Sequence, residues 1–449
     1  MRYSIVIRIG SGDNKKVRLL DTKSKVVDVP FLNNILSADK RVKHEYVFDG
    51  LNRLGLKPSH IAIDLLNVAV GVLSSDTRIN REKESDDSWV REIDLYIPVS
   101  DPKIWNMQKD RIAVILRFLT GDRWTISFRG TAFNYNELFK NKKKKEIAGN
   151  YDGEVVSLFS GGMDSFIGAI DLIEGKDKPL LVGHRKSVDV GGPQRKAYEY
   201  LKQQYNNAVE YFPIRLSAPK KIFAGDEEKT ERGRSFVFLA LGILAASSLK
   251  GNRRLIIPEN GLISLNVPLS PLRLGALSTR TTHPYYILRF QQLIDALKLN
   301  ISLENPYRFL TKGEMLASCT NQNNLKTFIS ETMSCAHPAA GRFRKEIGVG
   351  HCGLCVPCVI RRAAFHKAQH LINDLTDYKR NISSIENKEY IYPFLRSIKR
   401  LKDKPGIEKL LIFKAGPLFD YSSELNNYSD VYRRGMEEID VLFKSLKIN

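Results

Sequence analysis

The sequence predicts an α/β protein built on a doubly wound parallel sheet. Two observations predict this fold: short apolar strands alternate with helical segments from residue 154 onward, and a glycine pair joins the first strand to the first helix. The strands are expected at residues 155–159, 179–183, 208–216 and 254–258, and the helices at 164–173, 194–205 and 234–249. Ligands of such sheets bind at the carboxyl ends of the strands, so the residues after each strand are candidates for a site.

A chain of 449 residues is long enough for two or three domains. Residues 1–140 are predicted to form an α+β accessory domain, with half-buried strands at 3–9, 90–99 and 123–128 and helices at 60–73 and 107–119. The predicted division after residue 140 is a basic linker at 141–153, the α/β domain at 154–375 and a helical C-terminal extension at 376–449. The linker contains a lysine run, Lys142, Lys143, Lys144 and Lys145.

The composition excludes a disordered chain, because 43% of the residues are apolar and 27% are charged. The formal net charge of +20 attracts polyanions, but the excess is dispersed, so direct nucleic-acid binding is not favoured. Arg8 interrupts the amino terminus before a signal-peptide core is complete, and the longest apolar stretch, residues 236–249, is shorter than the roughly 20 residues that span a bilayer. We therefore expect a cytoplasmic protein without membrane contact.

A phosphate-binding loop is predicted directly after the first strand of the α/β domain. Its glycines let the backbone approach phosphate oxygens, and the helix that follows directs unpaired amides and its positive dipole end to the same place. The serines add hydroxyl donors, and Asp164 can orient the loop or hold Mg²⁺ through water. The loop consists of Ser160, Gly161, Gly162, Met163, Asp164 and Ser165.

This loop resembles the SGGxDS signature of the PP-loop ATP pyrophosphatases, whose fold is of the HUP, adenine nucleotide α-hydrolase-like type. Such enzymes grip the pyrophosphate of ATP and leave the α-phosphorus open to attack. The chain contains no GxxxxGK[ST] run for γ-phosphoryl transfer. The resemblance therefore implies ATP as co-substrate, with AMP and pyrophosphate as products of an adenylation.

Four of the five cysteines are spaced as metal ligands: Cys335, Cys352, Cys355 and Cys358. Two residues between neighbouring ligands let their thiolates converge on one ion, and the distant Cys335 completes a tetrahedron without an open position. The pattern predicts a structural zinc site, although an iron–sulfur cluster also tolerates this spacing. Cys319 is left over, and His337 and His351 are expected near the ligands without binding the metal.

Further motifs extend the likeness, and over residues 154–370 the chain resembles the 7-cyano-7-deazaguanine synthases, the QueC family. The matching residues occur in the family's order. They are the phosphate loop, then Gly192, Pro193, Gln194 and Arg195, then Arg232, Gly233, Arg234 and Ser235, then Thr311, Lys312, Gly313 and Glu314, then Glu331, Thr332, Met333, Ser334 and Cys335, and finally the stretch 352–365. The resemblance implies adenylation of a 7-carboxy-7-deazaguanine, followed in that family by ammonia and a second ATP to give the nitrile.

The same resemblance assigns roles to individual residues. Arg234, with Ser235 beside it, would contact the ATP phosphates or ribose; Gln194 and Arg195 would line the nucleotide pocket. Lys312 would stabilise negative charge on the acyl carboxylate. Asp164, Lys312 and Arg234 are therefore the expected catalytic residues.

The chain departs from the synthases on the substrate side and at both ends. Segments 258–268 and 278–284 replace a shorter segment, and they supply the candidate substrate-binding residues Glu259, Asn260, Arg280 and His283. The front domain and long tail resemble QueC-like proteins of bacterial antiphage islands, such as the Qat system. That likeness implies a partner protein whose amine accepts the activated deazaguanine.

Three alternatives remain open. The chain could be a free 7-cyano-7-deazaguanine synthase of queuosine-type biosynthesis, or a tRNA-modifying PP-loop enzyme such as a thiolase. Thiolation wants a reactive cysteine, for which only Cys319 is available. A catalytically inert zinc-ribbon module is the third reading, and the intact phosphate loop argues against it.

Overall fold

The computed structural model of the chain describes residues 1–85, 87–139, 151–185, 188–223, 225–228, 230–269, 280–338 and 350–448. The lysine run Lys142, Lys143, Lys144 and Lys145 lies outside these residues, as do Ser278 and Thr279 of the predicted substrate-side segment. Within the described ranges, no helix combines the length and the apolar character that a bilayer crossing requires.

The strands and helices follow in chain order. The strands are β1 (Arg2–Ile9), β2 (Lys25–Phe31), β3 (Lys43–Glu45), β4 (Glu92–Val99), β5 (Arg123–Gly130), β6 (Val155–Leu158), β7 (Pro179–His184), β8 (Glu210–Ser217), β9 (Arg253–Ile256) and β10 (Ile301–Glu304). The helices are α1 (Val47–Arg53), α2 (His60–Arg78), α3 (Arg81–Glu84), α4 (Pro102–Asn106), α5 (Lys109–Thr120), α6 (Met163–Glu174), α7 (Val188–Gln204), α8 (Arg234–Ala246), α9 (Gly261–Leu265), α10 (Pro284–Ala296), α11 (Lys312–Ser318), α12 (Gln322–Phe328), α13 (Val356–Lys367), α14 (Lys388–Asp403), α15 (Glu408–Leu411) and α16 (Leu425–Ser445). Short 3₁₀ turns cover Tyr135–Phe139, Ile329–Glu331, Ile385–Asn387, Ile412–Lys414 and Phe419–Glu424.

The first unit is an α/β unit, and the α+β prediction for residues 1–140 is wrong. Strands β2, β1, β4 and β5 lie side by side in this order, and every pair is parallel. Parallel strands need crossover connections. Helices α4 and α5 connect β4 to β5, whereas residues 10–24 connect β1 to β2 without a helix. In β4 every residue after Glu92 is buried, because a parallel sheet is covered on both faces. In β4 the polar residue Asp94 therefore does not mark a solvent-exposed face, whereas the edge strand β5 does expose Arg123 and Thr125.

The second sheet has the doubly wound parallel arrangement that the sequence predicts. Its strand order is β10-β9-β6-β7-β8-β3, and only the short edge strand β3 is antiparallel to its neighbour. The strand order reverses at β6, which pairs with β7 on one side and β9 on the other. A crevice opens at the carboxyl ends of strands where the order reverses, so the residues after β6 and β9 lie where a ligand is expected.

The two sheets share one hydrophobic core. Helix α2 of the first unit packs against α8 of the second, and buried side chains from both helices belong to the same apolar cluster. Strand β3, which precedes α2 in the chain, pairs with β8 at the edge of the second sheet. The first unit is therefore integrated into the α/β domain through both a helix pair and a strand.

The C-terminal extension is helical, as predicted, and it forms its own apolar cluster against the α/β domain. Its long helix α16 packs on α13 and α9 and also reaches α11. These three helices carry or follow residues that the sequence analysis assigned to the site. The extension therefore packs against three helices that carry or follow the predicted site residues.

Candidate active site

The phosphate loop, residues 160–165, joins β6 to α6 at the point where the strand order reverses. Gly161 has φ of +76°, and a Cβ there would lie 2.8 Å from the backbone nitrogen of Gln194. A side chain at this position would be strained and would collide with α7. The first glycine of the motif is therefore required by the local geometry.

A segment near the cysteines, residues 332–335, holds this loop and is here named the strap. The Met333 N–H donates to the Gly161 carbonyl at 2.9 Å, and the Met163 N–H donates to Ser334 Oγ at 3.2 Å. Inside the loop, the Gly162 N–H donates to Ser160 Oγ at 3.2 Å and Ser165 Oγ donates to the Gly162 carbonyl at 3.0 Å. Backbone and hydroxyl bonds thus hold the loop in a defined shape.

Asp164, in the first turn of α6, is the centre of a buried polar cluster. Lys312, the first residue of α11, donates from Nζ to Asp164 Oδ1 at 2.5 Å. Asn260, which follows β9, donates from Nδ2 to Asp164 Oδ2 at 2.7 Å and to Glu259 Oε1 at 3.3 Å. Asp164 and Lys312 are only 6% and 5% exposed. The fold therefore brings together four predicted residues from three separate segments.

The two carboxyl groups of this cluster have opposite pKa shifts. Burial raises the pKa of Asp164, but the charge of Lys312 and hydrogen bonds from Glu259, Lys312 and Asn260 together bring that pKa below its ordinary value. Burial raises the pKa of Glu259 well above its ordinary value, and the charge of Asp164 raises it further. The two shifts favour a charged Asp164 beside a Glu259 that holds its proton more tightly than an exposed glutamate does. Carboxylate oxygens are the hard ligands that Mg²⁺ prefers, so these two groups could hold such an ion.

A cavity of about 280 Å³ opens directly beside the loop. It lies at the carboxyl ends of β6, β7 and β9, and its wall combines apolar side chains with a few polar groups, as ligand pockets do. The predicted residues that line it are Ser160, Ser165, Gln194, Arg234 and Glu259. The guanidinium carbon of Arg234 lies 4.8 Å from the ring centre of Phe238. Arg234 Nη1 lies 3.7 Å from Glu231 Oε2.

Three predicted binding residues lie away from this cavity. Arg195 is exposed, pairs with Glu199 at 3.6 Å and lines a separate hollow of about 780 Å³ that contains no phosphate-loop residue. Arg280 donates to the Phe118 carbonyl of the first unit at 2.8 Å. His283 is fully buried, and its Nδ1 caps α10 by accepting from the Tyr285 N–H at 3.2 Å.

Ser235 is also buried, within the first turn of α8. Burial lowers the pKa of His283 to about 3, so this side chain is neutral. The cap and the burial give His283 a structural role. The polar groups that residues 280–284 do bring to the cavity are Thr281 and Thr282.

Two further residues that line the cavity, His184 and Phe238, were not predicted from the sequence. His184 is the last residue of β7, and its ring lies 5.6 Å from that of Phe238. His184 Nε2 is 2.9 Å from the Leu216 carbonyl. Its position at the carboxyl end of a parallel strand is a signal that could have found it, whereas Phe238 looks like an ordinary core residue of an apolar helix.

The predicted metal ligands Cys335, Cys352, Cys355 and Cys358 come together, with their sulfur atoms all within 4.8 Å of one another. The Sγ atoms of Cys335 and Cys355 are 3.9 Å apart, as are those of Cys352 and Cys358. Tetrahedral zinc with Zn–S bonds of about 2.3 Å separates its sulfur ligands by about 3.8 Å. Donor set and spacing therefore fit a metal ion such as zinc.

The cysteine cluster is linked to the phosphate loop through the strap. The Ser334 N–H donates to His351 Nε2 at 3.1 Å, next to Cys352. Arg361, fully buried in α13, donates to Thr332 Oγ1 at 2.9 Å and to the Ile329 carbonyl at 2.8 Å. Burial and the nearby charge of Arg361 lower the pKa of His351 to about 3, which leaves Nε2 free to accept. Neither Arg361 nor His351 was predicted to serve the loop.

Cys319 lies apart from the cluster and is 4% exposed. Burial raises the pKa of its thiol to about 12. A thiol of this kind is inert at neutral pH, because the thiolate is the nucleophile.

The chain was also compared with known proteins. No protein-family model matches it, and no curated protein does. The polar cluster, the cavity and the cysteine cluster are therefore the observations on which a function can be argued.

Proposed function

We propose that the chain is an ATP-dependent carbon–nitrogen ligase that activates a carboxylate as an acyl adenylate. The observation that carries the proposal is the arrangement at the carboxyl ends of β6 and β9. There a glycine-rich loop at a helix N-terminus, an Asp164–Lys312 pair and the Arg234 guanidinium surround or adjoin one cavity. This combination of amides, cations and carboxylates suits a triphosphate with Mg²⁺.

The proposed reaction has two steps. A carboxylate oxygen of the substrate attacks the α-phosphorus of ATP, and pyrophosphate leaves with the electron pair of the broken P–O bond. An amine then attacks the acyl carbon, AMP leaves, and the amine loses a proton. The phosphate loop would hold the departing pyrophosphate. Lys312 would offset negative charge that grows at the phosphorus and acyl oxygens. Arg234 would contact the ATP phosphates or ribose and so contribute to nucleotide binding.

Asp164 and Glu259 are the residues that would hold Mg²⁺. The ion supplies charge neutralisation of the phosphates when bound. Burial and the charge of Asp164 raise the pKa of Glu259, so a bound cation would offset that charge and favour the carboxylate form that serves as a ligand.

The identity of the substrates rests on the resemblance to the 7-cyano-7-deazaguanine synthases. It suggests a 7-carboxy-7-deazaguanine as the carboxylate, and the extra units at both ends of the chain suggest a partner protein as the amine in antiphage defence. The main alternative is a free synthase that uses ammonia. Incubation with substrate, ATP and either ammonia or the proteins of neighbouring genes separates the two by the mass of the product.

The properties of Cys319 favour a ligase over a thiolation enzyme. Four cysteines converge on one metal site, and the fifth is buried with its pKa raised to about 12. Sulfur transfer needs an accessible thiolate. A Cys319→Ser variant is expected to retain full ligase activity.

ATP–pyrophosphate exchange tests the proposal. The unmodified protein should exchange labelled pyrophosphate into ATP only when the carboxylate is present, and Arg234→Ala should lower kcat/KM for ATP by on the order of tenfold or more. Arg308→Ala is the matched control, because Arg308 also lies 4.8 Å from a phenylalanine ring centre and pairs with a glutamate, yet it faces the C-terminal extension. Carboxylate-independent formation of ADP and orthophosphate would sink the proposal.

A further inference from the structure

Helices α2 and α8 form an antiparallel pair that is tied at both ends. At one end the Ser59 N–H donates to Ser247 Oγ at 3.3 Å. At the other end the Gly233 N–H donates to Asp76 Oδ2 at 2.7 Å. Asp76 is near the end of α2, and Gly233 is the residue on which α8 begins. The first unit therefore fixes both the position and the register of α8.

The contact at Gly233 is close and leaves no room for a side chain. A Cβ on Gly233 would lie 2.8 Å from Val72 and 3.3 Å from Asp76 Oδ2. No side chain of the α8 segment itself caps the helix. Asp76 thus supplies from another unit both an acceptor and a negative charge at the amino end of α8, where a helix is stabilised by an anion.

Asp76 is itself held by buried charges of the first unit. Fully buried Arg91 pairs with Asp76 at 3.0 Å and with Asp122 at 2.7 Å. Arg81 also pairs with Asp122, at 2.5 Å, and each of the two arginines contacts both carboxylate oxygens of Asp122. A buried network of this kind has few alternative arrangements, because each unpaired charge would be costly.

The residue before Gly233 is held by the same unit. Arg232 Nη1 donates to the Thr120 carbonyl at 3.1 Å, and the Arg232 guanidinium lies 4.4 Å from the ring centre of Trp89. Arg232 and Gly233 are thus bound by the first unit, whereas the next residue, Arg234, lines the cavity. The three consecutive residues connect the buried network to the site.

We infer that Asp76 is a positioning residue for the nucleotide site: through Gly233 it fixes the start of α8 and hence the direction of the Arg234 side chain. The first unit then helps to position Arg234 in the site, and it is not only an accessory domain. This inference rests on the proposed function for its kinetic consequence but on the structure alone for its consequence at α8.

The kinetic test compares Asp76→Asn with Asp122→Asn. Asp76 uses one oxygen for Arg91 and the other for Gly233. Asparagine has a single acceptor oxygen, and the charged Arg91 forms the stronger bond with it, so the amide nitrogen of asparagine faces the Gly233 N–H and that contact is lost. Asp122→Asn removes a carboxylate from the same network without touching α8. In pyrophosphate exchange, Asp76→Asn should raise the KM for ATP about fivefold, the factor for about 1 kcal/mol of a lost helix cap, with kcat unchanged. Asp122→Asn should leave that KM unchanged.

A double-mutant cycle separates positioning from general destabilisation. If Asp76 acts through Arg234, the effect of Asp76→Asn on the KM for ATP disappears in an Arg234→Ala background. An additive effect, or an equal rise in KM for Asp122→Asn, overturns the inference while the proposed function stands.

A measurement without nucleotide keeps the two ideas distinguishable. Hydrogen exchange of the amides at residues 233–237 should be faster in Asp76→Asn than in Asp122→Asn, because only the first loses the contact at the start of α8. Equal exchange in the two variants contradicts the inference even if the unmodified protein shows no pyrophosphate exchange. Faster exchange in Asp76→Asn alone supports it in either case.

Discussion

Asp164 depends on partners that are distant in sequence. Asn260 approaches from the end of β9 and Lys312 from the start of α11, and both bonds are shorter than 2.8 Å. A buried charge is tolerated only when it is paired and hydrogen-bonded. The cluster therefore exists only in the folded chain, and its ionised carboxylate lies where the phosphate loop would bind a nucleotide.

Asp164→Asn should lower kcat/KM for pyrophosphate exchange by on the order of a hundredfold, because it removes a proposed Mg²⁺ ligand and leaves Lys312 without its counter-charge. The control is Asp171→Asn on the same helix, whose carboxylate accepts from Tyr307 Oη at 2.6 Å and from the Thr320 N–H at 2.9 Å. Equal losses in the two variants would show that the effect is on folding and not on the site.

Local signals predicted the glycine-containing turn between β6 and α6, and this turn is confirmed. The positions of residues that depend on side-chain orientation were predicted less well. Gln194 and Arg195 were assigned together, yet Gln194 is buried beside the loop and Arg195 is exposed. Successive helical residues point about 100° apart, so one motif cannot bring both to the same pocket. His283 also carried a plausible polar group, but its nitrogen caps α10, a role that only the folded backbone reveals.

At the scale of elements, the cysteine cluster has two functions in the structure. Two of its cysteines, Cys355 and Cys358, lie at the start of α13. Next to Cys352, His351 accepts from the Ser334 N–H of the strap, and Ser334 Oγ in turn accepts from the Met163 N–H of the phosphate loop. Loss of the metal would therefore release the strap as well as the four cysteines.

Metal analysis of the purified protein should find one zinc per chain, and Cys358→Ser should lose it together with thermal stability. Cys319→Ser should keep both, because Cys319 lies outside the cluster. Retention of zinc by Cys358→Ser, or iron in place of zinc in the unmodified protein, would contradict the assignment.

Helix α16 contacts the start of α11 through Glu438. Thr311 Oγ1 donates to Glu438 Oε1 at 2.5 Å, next to Lys312. Burial raises the pKa of Glu438 from 4.5 to about 7, and the charge of Glu314 contributes. The folded state therefore binds a proton that the unfolded chain releases, and this contribution to stability is full below about pH 4.5 and is lost as the pH rises through 7.

As the pH rises from about 5 to 8, the free energy of unfolding of Glu438→Gln should increase relative to that of the unmodified protein by up to roughly 3 kcal/mol. The reason is that glutamine carries no charge to bury. Urea unfolding across this pH range measures the difference. The neighbouring exposed Glu437, which pairs with Arg433, provides the control variant Glu437→Gln. A constant difference across the range would refute the shifted pKa of Glu438.

At the scale of the whole molecule, the alternation of strands and helices predicted the doubly wound sheet because that pattern is local. The integration of the first unit was not predictable in this way. The antiparallel pairing of β3 with β8 and the packing of α2 on α8 join segments more than 150 residues apart. Strand β2 was also missed, since its Pro30 is unfavourable in most strands and is accommodated here at an edge of the sheet.

Segments at both ends of the chain contact the helices around one candidate site. The first unit contacts the start of α8, next to Arg234, through Asp76. The C-terminal helix α16 packs against α9, α11 and α13. The cavity lies between these supports at the carboxyl ends of the central strands. Such an arrangement suits the proposed adenylation, in which the loop, the cations and the carboxylates must keep fixed positions while the α-phosphorus is attacked.

The most direct test of adenylation follows an isotope from the carboxylate. With 7-carboxy-7-deazaguanine labelled with oxygen-18 in its carboxylate, plus ATP, Mg²⁺ and the acceptor amine, the account predicts that AMP carries one labelled oxygen and pyrophosphate carries none. Phosphorus NMR resolves the two products. Unlabelled AMP would mean that water attacks the α-phosphorus, and ADP with orthophosphate would mean that the γ-phosphorus is attacked; either result contradicts the account.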